Sequence, residues 1–398
     1  MSDPQPNSTP ELNPSSAAAL PVQAEAPQTP TTLVARVQAF RARYEKAEMA
    51  VLFFGGFLYD VLTLSRIDDR FGMIQQGVYL AVLAALLVAE QRYSVLPEPP
   101  GLLGKVLRFR EDALHFFLGS LLSSFTLFFF KSASGATAFL FLLVLFGLLV
   151  ANELPRFRSM GPVVRVGLFS LCVTAYFGYV LPVMAGRLGW WLFTIAVALG
   201  SGSIYGMMRL IRRWIPDAEA LKWRVAVPGF GVQGLLLVLY LVKVLPPVPL
   251  AVQFSGIYHS VERVKGENGK VEYRLAHERS WWRFWQRGDQ RFLARPGDKP
   301  YYFFSVFAPS GFERYKLRVR WEYDHPEKGW TDHGSFLADI KRSGVERGYR
   351  SYAFTSNPKP GDWRVTLETE DGGEIGRLGF SVVADESTEP RQFLYDQG

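Results

Sequence analysis

The basic residues of this chain cluster on alternate sides of a series of apolar segments, and that alternation limits the fold more than any motif does. Seven such segments, near Met49–Leu64, Phe71–Ala89, Ala113–Phe130, Ala136–Ala151, Val163–Ala185, Trp190–Leu210 and Val225–Val244, occupy the first two thirds of the sequence. Each approaches the ~20 residues that a helix needs to cross a bilayer, the first and fourth being short. Arg36, Arg41, Arg43 and Lys46 precede the first segment; Arg92, Lys105, Arg108 and Arg110 follow the second; Arg156, Arg158 and Arg165 follow the fourth; Arg209, Arg212, Arg213, Lys222 and Arg224 follow the sixth. The other connections hold only Arg66, Arg70, Lys131 and Arg187. Loops retained in the cytoplasm collect Lys and Arg, so the pattern predicts about seven transmembrane helices with the N-terminus cytoplasmic and everything beyond residue 250 or so exported. The expected location is a bacterial inner (plasma) membrane, crossed several times.

Charge supports this reading over nucleic-acid binding. The formal net charge of +7 comes almost wholly from the first 253 residues, whereas the remainder has 23 Lys and Arg against 22 Asp and Glu. A near-neutral exported part has no electrostatic footprint for a polyanion. The one cysteine, Cys172, lies in an apolar run, which excludes an internal disulfide and a multi-cysteine metal site.

Residues 1–31 carry seven prolines and no aromatic residue, the composition of a disordered tail. Residues 32–47 place Leu33, Val37, Phe40 and Tyr44 at helical spacing among arginines, as in a cytoplasmic amphipathic segment. The helical membrane domain is expected over 48–245, and a Pro-rich neck over 246–252, stiff and extended because consecutive prolines cannot continue a helix. Beyond it the apolar period becomes two: Leu317, Val319, Trp321 and Tyr323 alternate with charged residues, as do Trp363, Val365 and Leu367, and Leu378, Phe380 and Val382. Turn signals at Gly266–Gly269, Arg295–Asp298, Asn357–Gly361 and Asp371–Gly373 divide short strands. The fold class expected is therefore a membrane all-α bundle followed, over 253–385, by an all-β, immunoglobulin-like antiparallel sandwich, with 386–398 as a C-terminal tail.

Several stretches resemble a known family. Gly56-Phe57, Tyr59-Asp60, Thr63-Leu64, Arg66-Ile67-Asp68 and Gln76 are similar to the opening of an uncharacterised family of bacterial multi-spanning inner-membrane proteins. Pro246-Pro-Val-Pro249, Gly256-Ile-Tyr-His259, Gly348-Tyr-Arg350 and Pro360-Gly-Asp-Trp-Arg-Val365 resemble the periplasmic domain of unknown function that closes such proteins. The resemblance covers nearly everything after the disordered tail. It implies an integral inner-membrane protein with an exported β domain, and it supplies no reaction.

Two constellations are candidates for function. Asp60, one turn inside the first apolar segment, with Gln76 and His115, forms a candidate intramembrane polar site, because ionisable groups at that depth turn toward protein or water. Interhelical hydrogen bonding accounts for the same residues equally simply. Arg66, Asp68, Asp69 and Arg70 read as solvated loop charges, and Arg165 as a side chain that snorkels to the interface. Gly202-Ser-Ile-Tyr-Gly206 has the spacing for close helix packing. In the exported part, Trp281, Trp282 and Trp285 stand with three arginines in Arg279–Arg287. Aromatics flanked by Arg stack on sugar rings or settle in a headgroup belt, and they also serve plain packing. Asp324-His325 and Asp332-His333 are too loosely spaced to announce a metal site, and no catalytic motif or cofactor-binding signature is present.

The reading that results is an integral membrane protein that anchors an exported sandwich to bind or scaffold an envelope component, whether glycan, lipid or protein. The alternative is a small-molecule or lipid transporter, or an intramembrane enzyme, that uses Asp60, Gln76 and His115. Membrane lipid is the one partner the composition itself implies; oligomeric state is left open.

Overall fold

Six of the seven apolar segments fold as helices in the computed structural model, which describes residues 67–97, 99–107, 109–133, 135–153, 161–265, 271–283, 285–312, 315–339, 341–342 and 348–398. The first segment, with Asp60, lies outside the described residues, as do 1–47. The helices are α1 (Arg70–Tyr93), α2 (Leu102–Leu107), α3 (Arg110–Ser132), α4 (Gly135–Glu153), α5 (Pro162–Ala185), α6 (Trp190–Ile211), α7 (Ala218–Leu221) and α8 (Val227–Leu241). A π-helical turn, Lys222–Ala226, joins the last two. It accommodates Pro228, whose missing N–H would otherwise interrupt the ladder. Among the described residues, five helices are long and apolar enough to cross a membrane: α1, α3, α5, α6 and the continuous Ala218–Leu241. A shorter apolar stretch, Phe139–Ala151, falls within α4.

Charges near the helix ends are put to structural use. Asp69 caps α1 by accepting the Gly72 N–H at 3.0 Å, which satisfies one of the donors a helix start leaves over. Arg165 does not snorkel. Its side chain is buried and ion-paired with Glu90 of α1, with Glu111 of α3 at 4.0 Å. The pair ties three helices together where an isolated charge would be costly.

Close helix packing occurs one register away from where the glycine spacing suggests. A Cβ at Gly202 or Gly206 would have no neighbour within 4 Å, whereas one at Gly200 would meet Thr174 Oγ1 at 2.5 Å and Gln233 at 2.6 Å. Gly200 thus admits a buried polar knot: Thr174 Oγ1 donates to Gln233 Oε1 at 2.7 Å, and Gln233 Nε2 donates to Ser170 Oγ at 2.8 Å. Interhelical hydrogen bonds of this kind join α5 to α8 without a hydrophobic driving force.

Helix α8 ends at Leu241, before the prolines. Lys243 adopts a left-handed conformation (φ 58°), its N–H reaches Tyr240 O at 2.9 Å, and the Val244 N–H reaches Leu239 O at 2.9 Å. This is a Schellman closure with lysine where glycine is usual. The proline segment is a buried turn rather than an extended neck: Val248 N–H donates to Pro246 O and Leu250 N–H to Pro247 O, around a cis Val248–Pro249 bond. Val248 and Leu250 are buried, so contact with the sandwich supplies what the prolines cannot donate.

The strands are β1 (Ala251–Tyr258), β2 (Ser260–Lys265), β3 (Val271–His277), β4 (Arg291–Ala294), β5 (Tyr301–Phe307), β6 (Lys316–His325), β7 (Gly329–Asp339), β8 (Lys341–Arg342), β9 (Tyr349–Phe354), β10 (Gly361–Glu368), β11 (Glu374–Ala384) and β12 (Leu394–Gln397). One sheet has the order β1-β5-β9-β8 and the facing sheet β4-β11-β10-β6-β7, β4 running parallel to β11. With β1, β5, β9 and β8 lettered A, B, E and D, and β6, β10 and β11 lettered C, F and G, this is the immunoglobulin sandwich order. The alternation seen in the sequence sets the core. Leu317, Val319 and Trp321 of β6 and Trp363, Val365 and Leu367 of β10 are all buried against Tyr302, Phe304 and Val306 of β5. Trp321 occupies the strand-C position that tryptophan holds in antibody domains, here with no disulfide beside it.

A third sheet, β12-β3-β2, is added between β1 and β4. It covers the outer face of β5, where Phe303 is fully buried with Tyr258 and Leu275, which explains the uninterrupted apolar run Tyr301–Phe304. The segment expected as a tail thus contributes β12, paired with β3 from Leu394↔His277 to Gln397↔Arg274. Nothing in the local pattern of Leu394–Gln397 announces this long-range pairing.

The sandwich sits on the helices by its β5–β6 and β10–β11 loops, the B–C and F–G loops in immunoglobulin terms. Leu188, between α5 and α6, packs against the sandwich core. Gly186, left-handed at the end of α5, lies so close to the β5–β6 loop that a Cβ there would be 2.5 Å from Gly311 O. Tyr240 of α8 donates to Asp371 in the β10–β11 turn at 2.9 Å.

The Glu90–Arg165 pair gives a test. Glu90→Gln, which takes the paired carboxylate from the buried guanidinium, is expected to destabilise the detergent-solubilised protein by about 3 kcal/mol in equilibrium unfolding. Glu90→Leu combined with Arg165→Met is expected to cost clearly less; equal losses would remove the pair from this role.

Candidate functional site

The two constellations singled out in the sequence fare differently. Gln76 is buried on α1 and accepts the Tyr179 hydroxyl of α5 at 2.5 Å. Tyr179 lies level with Phe128 of α3, the ring centroids being 5.3 Å apart. His115, also buried, lies on α3 beside Phe116 and Phe117, whose rings meet Tyr79 of α1 at 6.4 and 5.1 Å. Gln76 is thus engaged with α5, and Asp60 lies outside the described residues. Gln75 is occupied with Tyr79 at 2.9 Å.

The tryptophan loop, by contrast, is a built feature. Trp281, Trp282 and Trp285 are 83%, 47% and 60% exposed, which for three indoles within five residues leaves an uncommon apolar surface in water. Their arrangement is fixed from below. Arg283 lies over the Trp282 ring at 4.7 Å, and Trp282 and Trp285 meet edge to face at 5.7 Å. Arg279 donates to Asp396 of β12 at 3.2 Å and to the Gln286 carbonyl, closing the loop across its base. At the far end Gly288 (φ 62°) bridges to Ile257 of β1, where a Cβ would fall 2.1 Å from Ile257 O. Only glycine fits there.

Beneath the loop is a network of charges that sequence spacing does not reveal, because its members come from separate segments between His259 and Asp396. Asp289 accepts the Glu278 N–H with both oxygens, at 3.0 and 3.1 Å. His259 lies 3.3 Å from Glu278 and 3.6 Å from Asp289. Arg391 spans Glu278 at 3.3 Å, Asp298 at 2.7 Å and Asp385 at 3.5 Å, and Arg295 binds Asp385 at 2.6 Å. His277 and Arg279 meet Asp396, each at 3.2 Å. The Gly256-Ile-Tyr-His259 resemblance, the Arg295–Asp298 turn and Arg279 of the tryptophan string were the sequence signals that touched this network.

An imidazole between two carboxylates has the makings of acid–base chemistry, but access is lacking. His259 is sealed beneath Phe292, stacked at 4.1 Å, and Phe393 at 5.2 Å. Burial pushes the His259 pKa down to about 4 and the Asp289 pKa up to about 7, against the hydrogen bonds Asp289 accepts. The network is thus a clamp that joins the β2–β3 hairpin, the tryptophan loop and β12 to the sandwich. Among the described residues no three His, Cys, Asp or Glu side chains could hold a metal ion. His325 accepts the Glu327 N–H at 3.2 Å, and His333 meets the Trp363 ring at 4.7 Å, so each has a local structural contact.

The clamp makes stability depend on pH with a definite sign. Asp289 holds its proton more tightly folded than unfolded, so its contribution is full below pH 4 and is lost as pH rises to 7. His259 acts oppositely, its neutral form gaining stability from pH 4 to 6.5. Asp289→Asn removes the first effect alone. The variant's stability relative to the parent is expected to climb steadily between pH 4 and 7, by up to about 4 kcal/mol, in urea unfolding followed by tryptophan fluorescence. A constant difference across that range would show Asp289 to be ionised throughout.

With this geometry in hand, the comparisons with known proteins are few. Residues 314–382, from the approach to β6 to within β11, match the family model described as a protein of unknown function (DUF2914). No curated protein matches the chain. Among solved structures, the chain is similar to an immunoglobulin-like protein from Pseudomonas aeruginosa, 16% identical, over 33% of this chain and 97% of that one, with a TM-score of 0.17. A likeness of that score carries no weight, and the sandwich assignment stands on the strand order. The chain ends, then, in a β-sandwich that is similar to the DUF2914 model over residues 314–382, preceded by helices long and apolar enough to cross a membrane.

Proposed function

We propose that this is an integral protein of a bacterial inner membrane, crossing it about seven times, whose exported sandwich recognises a glycan of the cell envelope through the tryptophan loop. The observation that carries the reading is the exposure of Trp281, Trp282 and Trp285 on a loop held at both ends by the buried clamp. Indoles offer flat apolar faces to sugar rings, and a loop that is already ordered loses little freedom on binding. Its place on the sandwich separates this from a headgroup belt. Ile257, to which the loop is bridged, is six residues along β1 from Ala251 at the bundle end, about 20 Å at ~3.3 Å per residue. Transport or catalysis within the bundle is supported less well, since Gln76 is already engaged by the Tyr179 hydroxyl.

Two measurements test this. The intact protein in detergent micelles is expected to sediment with purified peptidoglycan sacculi, and Trp281→Ala with Trp285→Ala to weaken that binding about thirtyfold, the loss of roughly 2 kcal/mol at a binding hot spot. Failure of the parent protein to sediment would overturn the glycan reading. A reporter fused after Gly398 that is active only in the periplasm is expected to be active, and activity confined to a cytosolic reporter would overturn the topology.

A further inference from the structure

A cavity of about 280 Å³ lies where the helices meet the sandwich, apart from the tryptophan loop. Its walls are apolar and come from the helices, among them Leu171, Phe141, Phe193 and Leu236; its mouth is formed by Lys243 and by Thr369 and Asp371 of the β10–β11 turn. Along α5 it runs from Leu171 to Pro182, which is about 16 Å at ~1.5 Å per residue. That is the depth of one leaflet, half of a hydrocarbon core about 30 Å thick.

The mouth is chemically asymmetric. Asp371 is already engaged by two hydroxyls, Thr369 at 2.5 Å and Tyr240 at 2.9 Å, so its charge is spoken for. Lys243 is exposed and forms no ion pair among the described residues. It also occupies the left-handed position of the Schellman closure, where glycine is usual, and a side chain kept in such a strained conformation points to a use for that side chain. Its ammonium reaches over the turn, 2.6 Å from where a Cβ on Gly372 would sit.

From these observations we infer that the junction cavity holds one acyl chain of an anionic phospholipid from the adjoining leaflet, with the phosphate at Lys243 and the β10–β11 turn closing over the headgroup. The apolar depth selects a chain and the exposed Lys243 cation selects the charge, as in basic lipid pockets between membrane helices. The same turn that serves antibodies as an antigen-binding loop here faces membrane lipid.

Gly178 makes the inference testable without disturbing the fold. It lines the cavity, and a Cβ there would have no neighbour within 4 Å, so Gly178→Phe fills open space rather than displacing a side chain. The full chain is reconstituted in vesicles of equal phosphatidylglycerol and phosphatidylethanolamine, extracted into detergent, and read by native mass spectrometry. The parent is expected to retain one phosphatidylglycerol, with at least fivefold preference over phosphatidylethanolamine. Gly178→Phe is expected to retain none while unfolding at the parent's temperature or higher, and Lys243→Gln to retain lipid with the preference abolished. Equal retention by parent and Gly178→Phe, or a preference indifferent to Lys243→Gln, would overturn the assignment. Sacculus binding, which depends on the other end of the sandwich, is expected to be unchanged in both variants, so this result and that of the glycan test are independent.

Discussion

The contact on which the rest of the molecule depends is the seating of Leu188 against the sandwich core, with the Gly186 backbone against Gly311 and Tyr240 on Asp371 beside it. It fixes the β5–β6 and β10–β11 loops against the ends of α5, α6 and α8. A sandwich held this way is not a module swinging on a tether. The buried Pro246–Leu250 turn removes the remaining freedom, because its Val248 and Leu250 N–H groups bond to the Pro246 and Pro247 carbonyls and both side chains are covered. The loops that antibodies leave free for ligands are occupied here, and surface available for recognition moves to the added hairpin and its tryptophan loop.

That relocation has a cost, which the charge network offsets. A β2–β3 hairpin alone is marginal, and a loop with three exposed indoles gains nothing from water. The clamp of Glu278, Asp289, Asp396 and Arg391 secures the hairpin by setting buried charges of opposite sign beside one another. His259 and Asp289, their protonation preferences shifted in opposite directions by the same burial, keep the clamp close to electrically balanced around neutral pH.

Much of this was legible from the residues. Continuous apolar runs gave the helices, and the period-two faces of β6, β10 and β11 gave those strands' share of the sandwich core, because burial on one side of a strand forces alternation. What was not legible was long-range. Leu394–Gln397 has no alternation to betray β12, since half of what orders it is the backbone of β3. Arg165 was expected at the interface because a sequence cannot show Glu90, seventy-five residues earlier, waiting on the next helix. The Gly202–Gly206 spacing suggested packing, yet the rotation of α6 was set by Gly200 and its polar neighbours on α5 and α8.

The sequence by itself determined that apolar helices come first and alternating strands after them, because periodicity and local hydrogen bonding are properties of neighbouring residues. Only the tertiary structure decided which loops the helices occupy, which charges meet under the tryptophans, and that a leaflet-deep cavity opens beside Lys243. Those depend on surfaces contributed by residues far apart in the chain, whose mutual fit no local pattern encodes.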